Sequence, residues 1–130
     1  MEIQNQEGEA DAVIREVIGA LIEVHKRLGP GFLESVYRRA AEVELRARGI
    51  PFESEKEIAL QYRGENIGTH RLDFFVAGEL VVELKTVEQL GKKHYAQVRS
   101  YLKAVDKQVG LLVNFADFKL DVRRVELDSS

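Results

Sequence analysis

Just past Gly49 the hydrophobic period of the chain changes from that of a helix to that of a strand, and this switch limits the fold more than any other feature. Before it, Val13, Val17, Leu21, Val24 and Leu28 form an i, i+3/i+4 stripe that Ile14, Ile18 and Ile22 broaden. Gly29-Pro30-Gly31 ends that helix, because glycine permits a left-handed cap and proline blocks continuation. A second helix is predicted from Leu33 to Arg48, with Val36, Tyr37, Ala40, Val43 and Ala47 inward. After it, Ile58, Leu60 and Tyr62 alternate with Ala59 and Gln61, as in a half-buried strand. Arg63-Gly64-Glu65-Asn66 turns the chain into a return strand, Ile67 to Val76. A tight connection at Ala77-Gly78-Glu79 leads to Leu80-Val81-Val82-Glu83-Leu84-Lys85, whose apolar run suits a central strand covered on both faces. The helical period returns from Glu88 to Ala104, with Leu90, His94, Gln97, Tyr101 and Ala104 on one stripe. Gly110 to Phe115 reads as a buried strand parallel to the previous one, since the crossover is long enough, and Asp121 to Leu127 as an edge strand. The order ααβββαβ(β) predicts an α/β (α+β) sandwich with a mixed central sheet flanked by helices.

With 130 residues, 45% of them hydrophobic and 32% charged, the chain suits one domain with one core. That domain is expected over 10–127, with a flexible N-terminal stretch at 1–9 and a short tail at 128–130. The absence of cysteine excludes disulfide scaffolds, thiolate zinc sites and cysteine nucleophiles. No apolar run reaches the roughly 20 residues of a membrane helix, and no signal peptide is apparent, so no membrane partner is expected and the cytoplasm is the expected location. Nineteen basic against 22 acidic side chains leave −3, which argues against a protein held on nucleic acid by bulk charge. The average hides an asymmetry: residues 1–62 carry 8 Lys/Arg and 12 Asp/Glu, net −4, and residues 85–107 carry 6 and 2, net +4. A local basic surface beside a phosphate-handling site is compatible with that pattern, and so is a solvated helix face.

Buried strands rarely carry charge, because desolvating an unpaired carboxylate is costly. This sheet does so at Asp73, Glu83 and Lys85. If Ala77-Gly78-Glu79 is a three-residue loop, Val76 faces Leu80, Phe75 faces Val81 and Asp73 faces Glu83, with Cβ atoms about 5 Å apart. Lys85, two residues beyond Glu83, shares its face. A two-residue loop would instead set Asp73 opposite Leu84, on the other face. Two carboxylates so close repel unless one is protonated or a cation lies between them. Mg²⁺ or Mn²⁺ fits, with the Leu84 backbone carbonyl as a further oxygen ligand and Lys85 placed to orient water or stabilise phosphoryl charge. The competing reading of the spacing is an ion-paired Asp73–Lys85–Glu83 cluster with no metal.

Two further motifs bear on that choice. Gly31-Phe32-Leu33-Glu34-Ser35-Val36-Tyr37 matches G-x-x-E-x-x-Y, and Gln97-Val98-Arg99-Ser100-Tyr101 lies on the helix after the Glu-x-Lys strand. With Ile22-Glu23-Val24-His25-Lys26-Arg27-Leu28-Gly29-Pro30-Gly31, they make the sequence resemble the GxxExxY protein family of the PD-(D/E)xK nuclease-like superfamily, over residues 10–127. The resemblance implies a restriction-endonuclease-like α-β-β-β-α-β core, which agrees with the order above. It implies that Asp73 is the acidic residue of the "PD" element, although Leu72 stands where proline is named, and that Glu83 and Lys85 are (D/E)-x-K. It further implies that Glu34 lies near the metal and that Gln97 and Tyr101 touch Lys85 or the nucleic-acid backbone. His25 and His94 fall where family members also carry histidine, without an assigned role.

Each residue also has a structural reading. Glu34, in the first turn of its helix, is favourable there on dipole grounds alone. Tyr37 suits core packing with a bonded hydroxyl, Gln97 and Tyr101 suit backbone satisfaction and packing, and His25 suits a helix cap. There is no phosphate loop, nucleophile elbow, His-Glu-x-x-His or aromatic stacking platform. The expectation is a metal-dependent nuclease acting on nucleic acid, DNA above RNA. Asp73, Glu83, Lys85 and Gln97 form the catalytic set, and Lys92, Lys93, Arg99, Lys103 and Tyr101 hold flanking phosphates. The rival is a non-catalytic module that keeps the fold and binds nucleic acid or protein. A lone domain of this size needs a homodimer or a partner to embrace a duplex.

Overall fold

The structure, a computed structural model, describes residues 2–127, with side chains from 11 onwards. The tail at 128–130 and the side chains of the expected flexible stretch therefore lie outside the described residues. Helices α1 (Glu2–Leu28) and α2 (Glu34–Ala47) precede strands β1 (Phe52–Tyr62), β2 (Glu65–Val76) and β3 (Leu80–Lys85); α3 (Lys92–Val105), β4 (Val109–Asn114) and β5 (Asp121–Glu126) follow. The sheet runs β1-β2-β3-β4-β5, with β3 and β4 parallel and every other pair antiparallel. The expected order of elements and the mixed sheet are both present. Among the described residues no helix is long and apolar enough to cross a membrane.

The sheet separates two cores. On one face α1 and α2 bury Val17, Leu21, Val24, Tyr37, Ala41 and Leu45 against Phe74, Val82, Leu84, Val113 and Phe115. On the other, Val98, Tyr101 and Leu102 of α3 cover Leu72, Val81, Leu112 and Val125. Successive residues of β3 and β4 feed opposite cores, which is why these strands read as unbroken apolar runs.

Four boundaries or phases differ from expectation. The inward face of α2 is Tyr37, Ala41 and Leu45, whereas Val36 and Val43 are 38% and 61% exposed. Helix α2 is apolar over a wide arc, and the sheet takes one flank of it. Ile22, expected on the α1 stripe, is half-exposed. Strand β1 begins at Phe52 rather than Ile58, because Ser54 and Lys56 occupy inward-alternating positions and hide the period. Helix α3 begins at Lys92, four residues late, where Gly91 is its extended N-cap.

The β2–β3 turn decides what meets what. The Glu79 N–H donates to the Val76 carbonyl at 3.0 Å, and Ala77 and Gly78 both have positive φ, 54° and 68°, as in the primed turns that match strand twist. Val76 then pairs with Leu80, Phe75 with Val81 and Phe74 with Val82, the three-residue-loop register.

Candidate functional site

The β2–β3 ladder runs no further than Phe74↔Val82. Leu72 packs into the α3 core and Phe74 into the α1/α2 core, although residues two apart on a regular strand share a face. The chain is therefore kinked at Asp73. The neighbouring strand is distorted at the same level: Ser54↔Phe74 and Lys56↔Leu72 are paired, and between them Glu55 has φ 52°. Strands β2 and β3 part below this kink, and the Asp73 side chain enters the fork, where its Oδ2 accepts the Leu84 N–H at 2.8 Å. The side chain replaces a missing rung. On the β4 side the Lys85 carbonyl accepts the Phe115 N–H at 2.8 Å, so the Leu84 carbonyl, one residue back, points the other way, into the fork.

Glu83 stands on the α3 face of β3, one alternation from Val81, and is 5% exposed. Its Oε2 lies 3.2 Å from Lys85 Nζ, and its Oε1 is buried with no hydrogen-bond partner. Burial, and then the charge of Asp73, push the Glu83 carboxyl up to about 8. Asp73 is raised chiefly by burial, but the Leu84 N–H and the nearby Arg38 and Lys85 cations draw it down. The two carboxyls thus oppose each other's ionisation, and Glu83 lacks the N–H donor that Asp73 has at Leu84.

Helix α2 brings its first turn to this fork. Its entry is clasped by Tyr37, whose hydroxyl donates to the Gly29 carbonyl at 2.5 Å and accepts the Phe32 N–H at 3.3 Å. The Tyr37 ring stacks on Phe115 with centroids 4.5 Å apart. The tyrosine of the G-x-x-E-x-x-Y run is thus a structural clamp that sets where Glu34 begins the helix. Glu34 is half-buried; desolvation and then the charge of Asp73 raise its carboxyl, against Lys85 and Arg38. His25 is structural as well: its Nε2 meets the Asp117 carbonyl at 2.8 Å and its ring lies against Phe115.

Helix α3 covers the fork from the other face. Tyr101 is buried, and burial followed by the charges of Glu83 and Asp73 pushes its hydroxyl up to about 12. His94 accepts the Gly91 N–H on Nδ1 at 2.8 Å and so closes the helix start. Desolvation, then Lys85 and Lys93, lower its pKa. Lys92, Arg99 and Lys103 are exposed, and at 100° per residue they project from the side of α3 opposite Tyr101. The structure does not bring these three to the fork. Lys93, also exposed, lies on the flank nearest Gln97.

Two contributors escaped the sequence reading. Arg38, one helical turn after Glu34, faces the carboxylates; its i+4 spacing from Glu34 was the available signal. Asn114 was hidden as the last residue of an apolar strand. Its side chain donates to the Val87 carbonyl at 2.7 Å and accepts the Val87 and Ala116 N–H groups at 3.1 and 3.2 Å. It thereby pins the chain just beyond Lys85.

Among the described residues no three Asp, Glu or His side chains gather closely enough to ligate one ion. The donor set at the fork nevertheless suits a hard cation: two adjacent carboxylates, one with an orphaned buried oxygen, and a carbonyl directed between them.

The fold agrees with comparisons to known proteins. The chain resembles a solved protein designated SSO0001, at 20% identity and a TM-score of 0.59, covering 72% of this chain and 50% of that one. It also resembles an alkaline exonuclease from Laribacter hongkongensis, at 14% identity and a TM-score of 0.55, covering 72% and 56%. The chain thus spans about half the length of the solved structures it matches, and the likeness is one of fold. No curated protein matches it. A family model matches residues 11–125, nearly the whole described chain and all of the elements that build the fork; the chain belongs to the PD-(D/E)XK nuclease superfamily.

Proposed function

We propose that this chain is a metal-dependent nuclease that hydrolyses phosphodiester bonds of DNA, its residues 10–127 forming one domain of the GxxExxY type. The observation that carries this reading is the orphaned, buried Oε1 of Glu83 beside Asp73. Each group at the fork has one atom held by the protein and another to spare. Asp73 commits Oδ2 to the Leu84 N–H and Glu83 commits Oε2 to Lys85, leaving one oxygen of each, with the Leu84 carbonyl, to hold Mg²⁺ or Mn²⁺. Glu34, half-buried near Asp73 but outside a three-carboxylate cluster, acts through water. A bound divalent ion supplies Lewis-acid stabilisation of charge on the phosphate and lowers the pKa of water. Lys85 orients the attacking water with its remaining N–H groups and stabilises charge at the scissile phosphate. Gln97 and Tyr101 cover the α3 side, excluding bulk solvent and steadying the carboxylates. Lys93, on the near flank of α3, holds a flanking phosphate. The cavity of about 220 Å³ lined by Val13, Ile14, Leu80 and Val109 lies at the opposite end of β3, away from this chemistry.

The second reading, a non-catalytic nucleic-acid- or protein-binding module, is favoured by the Glu83–Lys85 contact, which gives one Glu83 oxygen a protein partner without a metal. Calorimetry separates the two. Wild type is expected to bind Mg²⁺ or Mn²⁺, and Asp73→Ala and Glu83→Ala, checked as folded by circular dichroism, to lose that binding. Lys85→Ala is expected to keep the ion and lose cleavage of DNA by about 10²–10³-fold. A wild type that binds neither ion, alone or with an oligonucleotide, leaves the binding module standing.

A further inference from the structure

Among the described residues only two buried side-chain atoms lack a hydrogen-bond partner, Glu83 Oε1 and Arg38 Nε. They have opposite needs. The first is an acceptor that calls for a cation; the second is a charged donor that calls for an anion. Both flank Asp73, whose carboxyl feels Glu83 from β3 and Arg38 from α2. Leaving a charged N–H buried and unbonded costs more than leaving a neutral one so, and its persistence beside a candidate centre needs a reason.

The surroundings of Arg38 restrict that reason. Its side chain is 16% exposed, so water reaches only part of the guanidinium. Its Nη2 lies 3.6 Å from Glu55 Oε1, an ion pair too long for a hydrogen bond. Glu55 itself is held in the left-handed region at φ 52°, beside the kink that opens the fork, and Arg71 Nη1 approaches the same carboxylate oxygen at 3.4 Å. Among the described residues the Arg38 guanidinium thus makes no hydrogen bond to the protein, and its one ion-pair partner is Glu55. A guanidinium edge matches two oxygens of a phosphate.

We propose that Arg38 is a phosphate-binding residue of this site, the solvent-reached part of its guanidinium engaging a backbone phosphate of the nucleic acid whose hydrolysis the fork performs. The proposal rests on the nuclease reading above and adds to it a substrate contact made by α2.

The test is binding of a short fluorescently labelled DNA duplex by the whole chain, followed by anisotropy against salt. Ca²⁺ replaces Mg²⁺ so that association is read apart from cleavage. Arg38→Gln is expected to weaken binding about tenfold and to make the plot of log Kobs against log salt shallower by about 0.9, the signature of one lost phosphate contact. Arg38→Lys keeps a charge but not the planar edge, so the slope is expected to remain and the affinity to fall only a few-fold. Circular dichroism confirms that both variants are folded. If wild type binds and cleaves while Arg38→Gln retains its salt slope, the contact does not exist and Arg38 only balances the carboxylates. A change confined to metal affinity overturns the proposal in the same way. If wild type neither binds nor cleaves the duplex, the nuclease reading fails, and this proposal fails with it.

Discussion

Glu83 is a carboxyl group buried in an apolar strand beside a second carboxyl, that of Asp73. Its proton is retained to about pH 8 when folded, because burial and Asp73 oppose ionisation, against an ordinary value of 4.5 when unfolded. Between those values the folded state holds a proton that the unfolded state has lost, so stability falls as pH rises across that window. Below it both states are protonated and the penalty is absent. Thermal melts of metal-free protein from pH 4.5 to 8 are expected to show a decline that Glu83→Gln flattens, with the variant melting higher than wild type at pH 8. A divalent ion needs the carboxylate form, so its binding near pH 7 is expected to release a proton. The residue was legible in the sequence because a carboxylate in an apolar strand violates the cost of burial. Arg38 was not legible, because an arginine in a helix reads as a solvated side chain until the fold shows what lies beneath it.

The elements carry their own strain, and β1 carries the clearest case. Glu55 adopts φ 52° within a strand, opposite the kink at Asp73. A left-handed conformation costs a non-glycine residue about 1–2 kcal/mol, whereas glycine adopts it freely. Glu55→Gly is therefore expected to be more stable than Glu55→Ala by about 1 kcal/mol, the reverse of the usual order inside a strand. Both variants remove the carboxylate, so chemical denaturation of the pair isolates the backbone contribution. No local pattern announces this strain, because Glu53-Ser54-Glu55-Lys56 resembles an ordinary charged edge. The β2–β3 turn is more legible: Ala77-Gly78-Glu79 marks the turn locally but admits two registers, and the structure takes the one that pairs Val76 with Leu80. Helix α2 is intermediate, since its sequence offers two apolar flanks and only the sheet selects Tyr37, Ala41 and Leu45.

For the whole molecule, the distance between α3 and the sheet governs how Gln97 and Tyr101 sit over the fork. Gly110 sets it. A Cβ there would meet Val98 Cγ1 at 3.0 Å and the Val81 carbonyl at 3.1 Å, and the backbone oxygen cannot yield. Gly110→Ala is expected to destabilise the protein by about 1–3 kcal/mol as α3 is displaced, measured by denaturant titration. The sequence by itself determined the order of elements, the mixed sheet and the acidic pair with its lysine. Each of these follows from local period, turn chemistry or the penalty for burying charge. Tertiary structure alone decided that Asp73 turns into the fork to bond the Leu84 N–H, that Glu55 is strained opposite it, and that Arg38 and Glu83 each keep a buried atom without a partner. These depend on how strands part and how a helix end meets them, and such relations exist only between segments distant in the chain.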